Sequence, residues 1–160
     1  MDNELLAFYI VAKPEKRSFE EMSSSENIAV VLEAFRAVER RDRERLNALY
    51  HPEVEFHWPP SFPPTWDKVE TWDLLQPTTA ERQMDPRVVA ANDEEVVVLW
   101  TWRGVSPAGE RYEDTVLGLY QVRDGKFARA QMFFFDTAAL VSFLAKAERQ
   151  AASQRKDANT

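Results

Sequence analysis

Between Glu94 and Asp136 the chain alternates apolar and polar side chains with few breaks: EEVVVLWTWRG, then RYEDTVLGLYQV, then FARAQMFFFD. Side chains of an extended strand point to opposite faces in turn, so this pattern specifies three strands and also which residues share a face. SPAGE separates the first two runs and RDGK the second and third. Both are turn sequences, so the runs form an antiparallel meander. VVAAN, just upstream, adds a strand before them. Whatever else this chain builds must be laid on that sheet.

The N-terminal half supplies helices. Ser23 and Glu26 have capping-box spacing, in which the hydroxyl takes a free backbone N–H and the carboxylate reaches back. Ile28, Val31, Leu32, Phe35 and Val38 then recur at three- and four-residue steps, predicting an amphipathic helix over 26–41. RERLNALY is a short second helix over 43–50, stopped by Pro52. Next comes HPEVEFHWPPSFPPTW. Val54, Phe56 and Trp58 point one way and Glu55 and His57 the other, and Pro59, Pro60, Pro63 and Pro64 end the strand and stiffen the loop after it. A third helix is expected from Asp67 to Leu75, with Val69 and Trp72 on one face, and DTAALVSFLAKA forms a closing helix capped by Asp136. Helices followed by an antiparallel sheet predict an α+β domain, with the helices on one face of a curved sheet. The expected organisation is an extension over 1–22, one domain over 23–147, and a polar tail over 148–160.

Charge and composition narrow the function. With 27 acidic and 20 basic residues in 160, the net charge of −7 opposes a nucleic-acid partner. Without cysteine there is neither disulfide nor thiolate chemistry. No apolar run reaches the roughly 18 residues of a membrane span. The opening MDNELLAFYIVAKPEKR has acids where a secretory leader is basic, so a cytoplasmic protein is expected. Two histidines six apart form no zinc pattern, and no glycine-rich phosphate loop occurs; no metal and no cofactor are expected. His51 is expected to interact with the end of the second helix.

The run from Ile28 to Phe56, the turn Val122 to Lys126 and the ending Phe135-Asp-Thr-Ala-Ala-Leu140 resemble the SnoaL-like branch of the nuclear transport factor 2 superfamily. The resemblance covers about 26–146, makes Met22 look like a natural start, and implies a cone-shaped fold with a short C-terminal helix. That fold hosts isomerases, cyclases, epoxide hydrolases and non-catalytic binders. Aligned by resemblance alone, the phenol, base and protonated acid of the steroid isomerases fall on Phe35, Trp58 and Gly118, so all three carriers are missing. Where the cyclases carry an acid or a histidine on the last strand, Ala130, Met132 and Phe134 stand.

Strand parity carried into such a cone gives an aromatic lining. Phe56 and Trp58, then Val98, Trp100 and Trp102, then Tyr112, Asp114, Val116, Gly118 and Tyr120, then Ala130, Met132 and Phe134 face inward. Phe35 and Trp72 would close the cone and Trp66 would stand at its rim. Small-molecule sites are concave and mostly apolar, which makes these residues a candidate pocket; the plain alternative is packed core. Asp114 is the one inward carboxylate. It is either a general base partnered by Tyr120, or a wet or salt-bridged group near Arg103 and Arg111. The opposite parity exposes Val97, Leu99, Leu117, Leu119, Phe133 and Phe135, a face that a second copy would cover unless the closing helix or residues 5–11 do so. Three readings remain: a dimeric binder of an apolar small molecule, an isomerase, cyclase or hydrolase using Asp114, and a non-catalytic interaction protein with a filled cone.

Overall fold

The computed structural model describes residues 23–62, 79–81 and 83–158. Helix α1 spans Ser24–Arg40 and opens with the expected capping box, Ser23 accepting from the Glu26 N–H while the Glu26 carboxylate accepts from Ser23. Arg41, left-handed at φ 59°, ends it. Helix α2, Arg43–Leu49, is capped by Asp42. Strand β1 begins at once, Tyr50–His57. His51 is therefore in a strand and not at a helix end: its Nδ1 accepts from the Glu53 N–H at 3.1 Å. Pro52 is tolerated in β1 because β1 lies at the sheet edge.

Strands β2 (Thr79–Glu81), β3 (Arg87–Ala91), β4 (Glu95–Val105), β5 (Arg111–Arg123) and β6 (Lys126–Phe134) come next. The sheet runs β1-β6-β5-β4-β2, with β3 also on β4. Short strands β2 and β3 share the outer edge of β4, which is long enough to take one near each end. At three residues, β2 is too short to leave an alternation in the sequence. The β5–β6 turn has both central residues at positive φ, Asp124 at 55° and Gly125 at 70°, the geometry that suits the twist of a two-residue hairpin.

The sheet is mixed, not antiparallel throughout, because β1 pairs with β6 in parallel, Phe56 opposite Ala130. A tight turn forces antiparallel pairing, but the seventy or so residues between these strands leave direction free. The expected third helix from Asp67 to Leu75, with Trp66 and Trp72, lies outside the described residues.

The inner face of the sheet follows the expected parity. Val98 pairs with Gly118, Trp100 with Val116 and Trp102 with Asp114, and Gly118 and Tyr120 pair onward with Met132 and Ala130. All are buried. α1 lies on this face through Phe35, whose ring meets Trp100 at 5.9 Å and Tyr120 at 5.8 Å, both edge to face. Helix α3, Thr137–Asp157, covers the other end of the same face: Leu140 and Leu144 are buried, and Phe143 stacks on Tyr112 at 5.2 Å.

α3 is not short. It continues ten residues beyond Ala147, through the segment expected as a polar tail. Lys146, Gln150 and Gln154, one helical turn apart, all reach the β4–β5 turn: Lys146 pairs with Glu110, Gln150 accepts the Ala108 N–H, and Gln154 donates to the Pro107 carbonyl. A polar helix end held by a loop leaves no apolar periodicity to read. Among the described residues no helix is long and apolar enough to cross a membrane.

Candidate functional site

Under α1 the core does not close completely. Ala34, Phe35 and Val38 of α1 and Leu46 of α2 roof a half-enclosed hollow. Its floor is Trp100 of β4, Tyr120 of β5 and Ala130 and Met132 of β6. Tyr50 and Phe56 of β1, with Phe127, form an aromatic side wall in which the Tyr50 ring meets Phe56 at 5.6 Å and Phe127 at 5.8 Å. Met84, between β2 and β3, completes it. Met84 is fixed by its backbone: its carbonyl accepts from the Thr101 N–H and its N–H donates to Glu39 of α1.

The space open to water in this hollow is about 30 Å³. That is room for about two waters. Two of its walls are methionines, unbranched side chains that repack readily around a guest. Among the described residues that line it, none is a carboxylate, a histidine or a cation. Burial pushes the Tyr50 and Tyr120 hydroxyls far above the ordinary phenol value, so both stay protonated donors at neutral pH.

Tyr120 sits in an unusual way. A Cβ placed on Gly118 would lie 2.1 Å from its hydroxyl oxygen and 2.3 Å from the adjoining ring carbon. The phenol is therefore folded back along its own strand, over the bare backbone of residue 118. The Trp100 indole N–H is buried and has no acceptor in hydrogen-bonding geometry among the described residues.

The expected pocket residues divide. Phe35, Phe56, Trp100, Tyr120 and Met132 line this hollow. Val98 and Val116 are fully buried beside it. Trp58 stacks on Phe62 at 6.1 Å, and Phe62 in turn meets Phe134 at 5.1 Å. Trp102 turns toward α3, against Tyr112 and Phe143. Tyr50, Met84 and Phe127 also line the hollow, and sequence reasoning missed all three. A helical reading of 43–50 hides the strand that carries Tyr50, and Phe127 shifts register beside a bulge between Gln121 and Val122.

Asp114 is neither wet nor salt-bridged. It is 6% exposed, while Arg103 pairs with Asp85 and Glu113, and Arg111 with Glu81. Its Oδ1 accepts the Thr115 N–H at 2.8 Å, and its Oδ2 accepts the Asp136 N–H at 3.2 Å and the Tyr112 hydroxyl at 3.4 Å. The carboxylate thus ties the start of α3 to β5, away from the hollow. Burial and the charges of Asp114 and Asp136 push the Tyr112 hydroxyl up to about 12. His57 points outward, beside Glu55 at 3.0 Å.

The profile of the SnoaL-like domain family matches residues 31–130. The chain belongs to this family. It is a SnoaL-like member of the NTF2-like superfamily, and solved structures share its fold. An NTF2-like protein of unknown function from Burkholderia pseudomallei is 21% identical with a TM-score of 0.64, covering 75% of this chain and 98% of that one. TerC, co-crystallised with polyporic acid, is 21% identical with a TM-score of 0.61 over 75% and 98%. A putative polyketide cyclase from Xanthomonas campestris is 17% identical with a TM-score of 0.61 over 78% and 98%. At such identities the likeness speaks for the fold alone. No curated protein matches the chain in sequence.

Proposed function

We propose that this SnoaL-like protein binds an apolar small molecule in the hollow beneath α1 and does not transform it. The observation that carries this reading is the makeup of the lining: aromatic rings, two methionines and small aliphatics, with no carboxylate or imidazole among the described residues there. The gap holds about two waters as it stands, so a guest larger than that enters only as Met84 and Met132 repack around it. General acid–base turnover needs a titratable group within reach of the substrate proton. Asp114, which an enzyme would use, is engaged by two backbone amides and a phenol. TerC, which shares the fold, was co-crystallised with a small molecule, polyporic acid.

The test is a tryptophan-fluorescence titration against apolar aromatic compounds, each recovered afterwards for chemical analysis. Saturable quenching with unchanged compound supports a binder. Chemical change in the recovered compound refutes it in favour of an enzyme, and silence across the panel favours a filled cone.

The assembly we propose is a homodimer through the outer face. α3 lies on the inner side, and Leu117 and Phe133, which are paired neighbours in the middle of the sheet, are left 36% and 48% exposed. Gln121, Arg129 and Gln131 flank them. An apolar centre with a polar rim is the anatomy of a protein interface.

A further inference from the structure

One wall of the hollow is built unlike the rest. Among the described residues that line it, Met84 alone belongs to neither a helix nor a strand. Met132, the other flexible lining residue, is set in β6 between β1 and β5, where ladders on both sides hold the strand. Met84 is 4% exposed, while Gln83 and Asp85 on either side of it are exposed. The strap of residues 83–86 is therefore one residue thick, with the hollow under it and solvent over it.

Side chains do most of the clasping. Nη1 of Arg103, on β4, donates to the Gln83 carbonyl and to the Asp85 carboxylate, each at 2.9 Å. Glu39 of α1 accepts the Met84 N–H at 3.2 Å, and the Met84 carbonyl accepts the Thr101 N–H at 2.8 Å. These bonds join the strap to the roof and to β4, and none belongs to the β2 or β3 pairing. A segment held by a few part-exposed bonds opens at a lower free energy than a strand inside a ladder. We propose that the guest enters by displacing this strap, with Met84 swinging out of the hollow and Arg103 as the latch that sets how readily it does so. This rests on the small-molecule reading above and goes further, to the wall that yields.

Naphthalene, neutral and larger than the hollow as it stands, serves as the probe. Affinity is measured by calorimetry on the whole protein, and backbone amides are followed by NMR with ¹⁵N labelling. In the wild type the Met84, Asp85 and Thr101 amide signals are expected to move on binding, and the Thr101 N–H, freed from the Met84 carbonyl, to exchange with solvent at least about tenfold faster. Arg103→Ala changes no lining residue and is expected to tighten binding by about three- to tenfold, the scale of a part-exposed charged hydrogen bond no longer holding the strap shut. Stationary strap signals, or an Arg103→Ala protein that folds and binds no more tightly, would overturn the inference and leave the pocket reading standing. Binding by Met84→Ala alone would mean that the strap stays shut, and would overturn it too. Binding by none of the three proteins would overturn both readings. The wild-type spectra decide the matter even if Arg103→Ala does not fold.

Discussion

Gly118→Ala is a small change with a large expected effect, because of what lies above residue 118. The new methyl carbon would sit 2.1 Å from the Tyr120 oxygen, 2.3 Å from Cζ and 2.5 Å from Cε2. Ordinary contacts between such atoms are about 3.5–4 Å, so the phenol must retreat by about 1.5 Å. It cannot do so freely, because Phe35 and Phe127 hold the ring at 5.8 and 5.3 Å. Overpacking of this kind costs about 1–3 kcal/mol. Against it stands the gain from replacing glycine within a strand, about 0.5–1 kcal/mol. The net expectation is destabilisation by about 1–2 kcal/mol, or roughly 2–8 °C in Tm for a domain of this size. In a Tyr120→Val background the clash is gone and only the gain remains, so the same substitution should stabilise. Urea unfolding of the four proteins in this cycle measures the coupling, expected near 2 kcal/mol. Equal effects of Gly118→Ala in both backgrounds would refute the claim that this glycine exists to seat the phenol.

Three further outcomes are expected. Asp114→Asn puts an amide NH₂ where an oxygen now accepts a backbone N–H, and should lower unfolding free energy by about 1–3 kcal/mol while probe affinity stays within about twofold; a collapse of affinity without loss of stability would restore Asp114 to the site. Tyr50 and Tyr120 have folded-state pKa values raised above the unfolded value of about 10, so the stability they contribute is complete below that pH and is lost above it. Tyrosinate absorbance should accordingly show these two ionising only as the fold opens, and early titration of four equal phenols would contradict the burial. Leu117→Lys together with Phe133→Lys should give a monomer by light scattering, and an unchanged mass would move the proposed interface elsewhere.

The inner face of β4, β5 and β6 was legible because strand alternation is a local property: each residue's side follows from its neighbour's, and tight turns fix the register between strands. The capping box at Ser23 was legible for the same reason. What escaped depends on distant partners. The direction of β1 beside β6 is set by no turn. The last ten residues of α3 are held by loop carbonyls and amides around residue 108. The occupation of Asp114 by the N–H of Asp136 is invisible until the chain folds back on itself. The floor of the hollow was half visible: Trp100 and Tyr120 could be placed inside, but Tyr120 leaning over Gly118 is a rotamer choice that alternation does not encode.

The parallel seam between β1 and β6 also bears on how the chain is made. The aromatic wall of Tyr50 and Phe56 is synthesised early, yet its partner Phe127 comes more than seventy residues later. At about 5–20 residues per second, that interval is roughly 4–15 seconds during which β1 has no strand to join. β1 must wait on the ribosome for the last hairpin. A transcript cut short before β6 thus yields an open, sticky fragment in place of a smaller working protein.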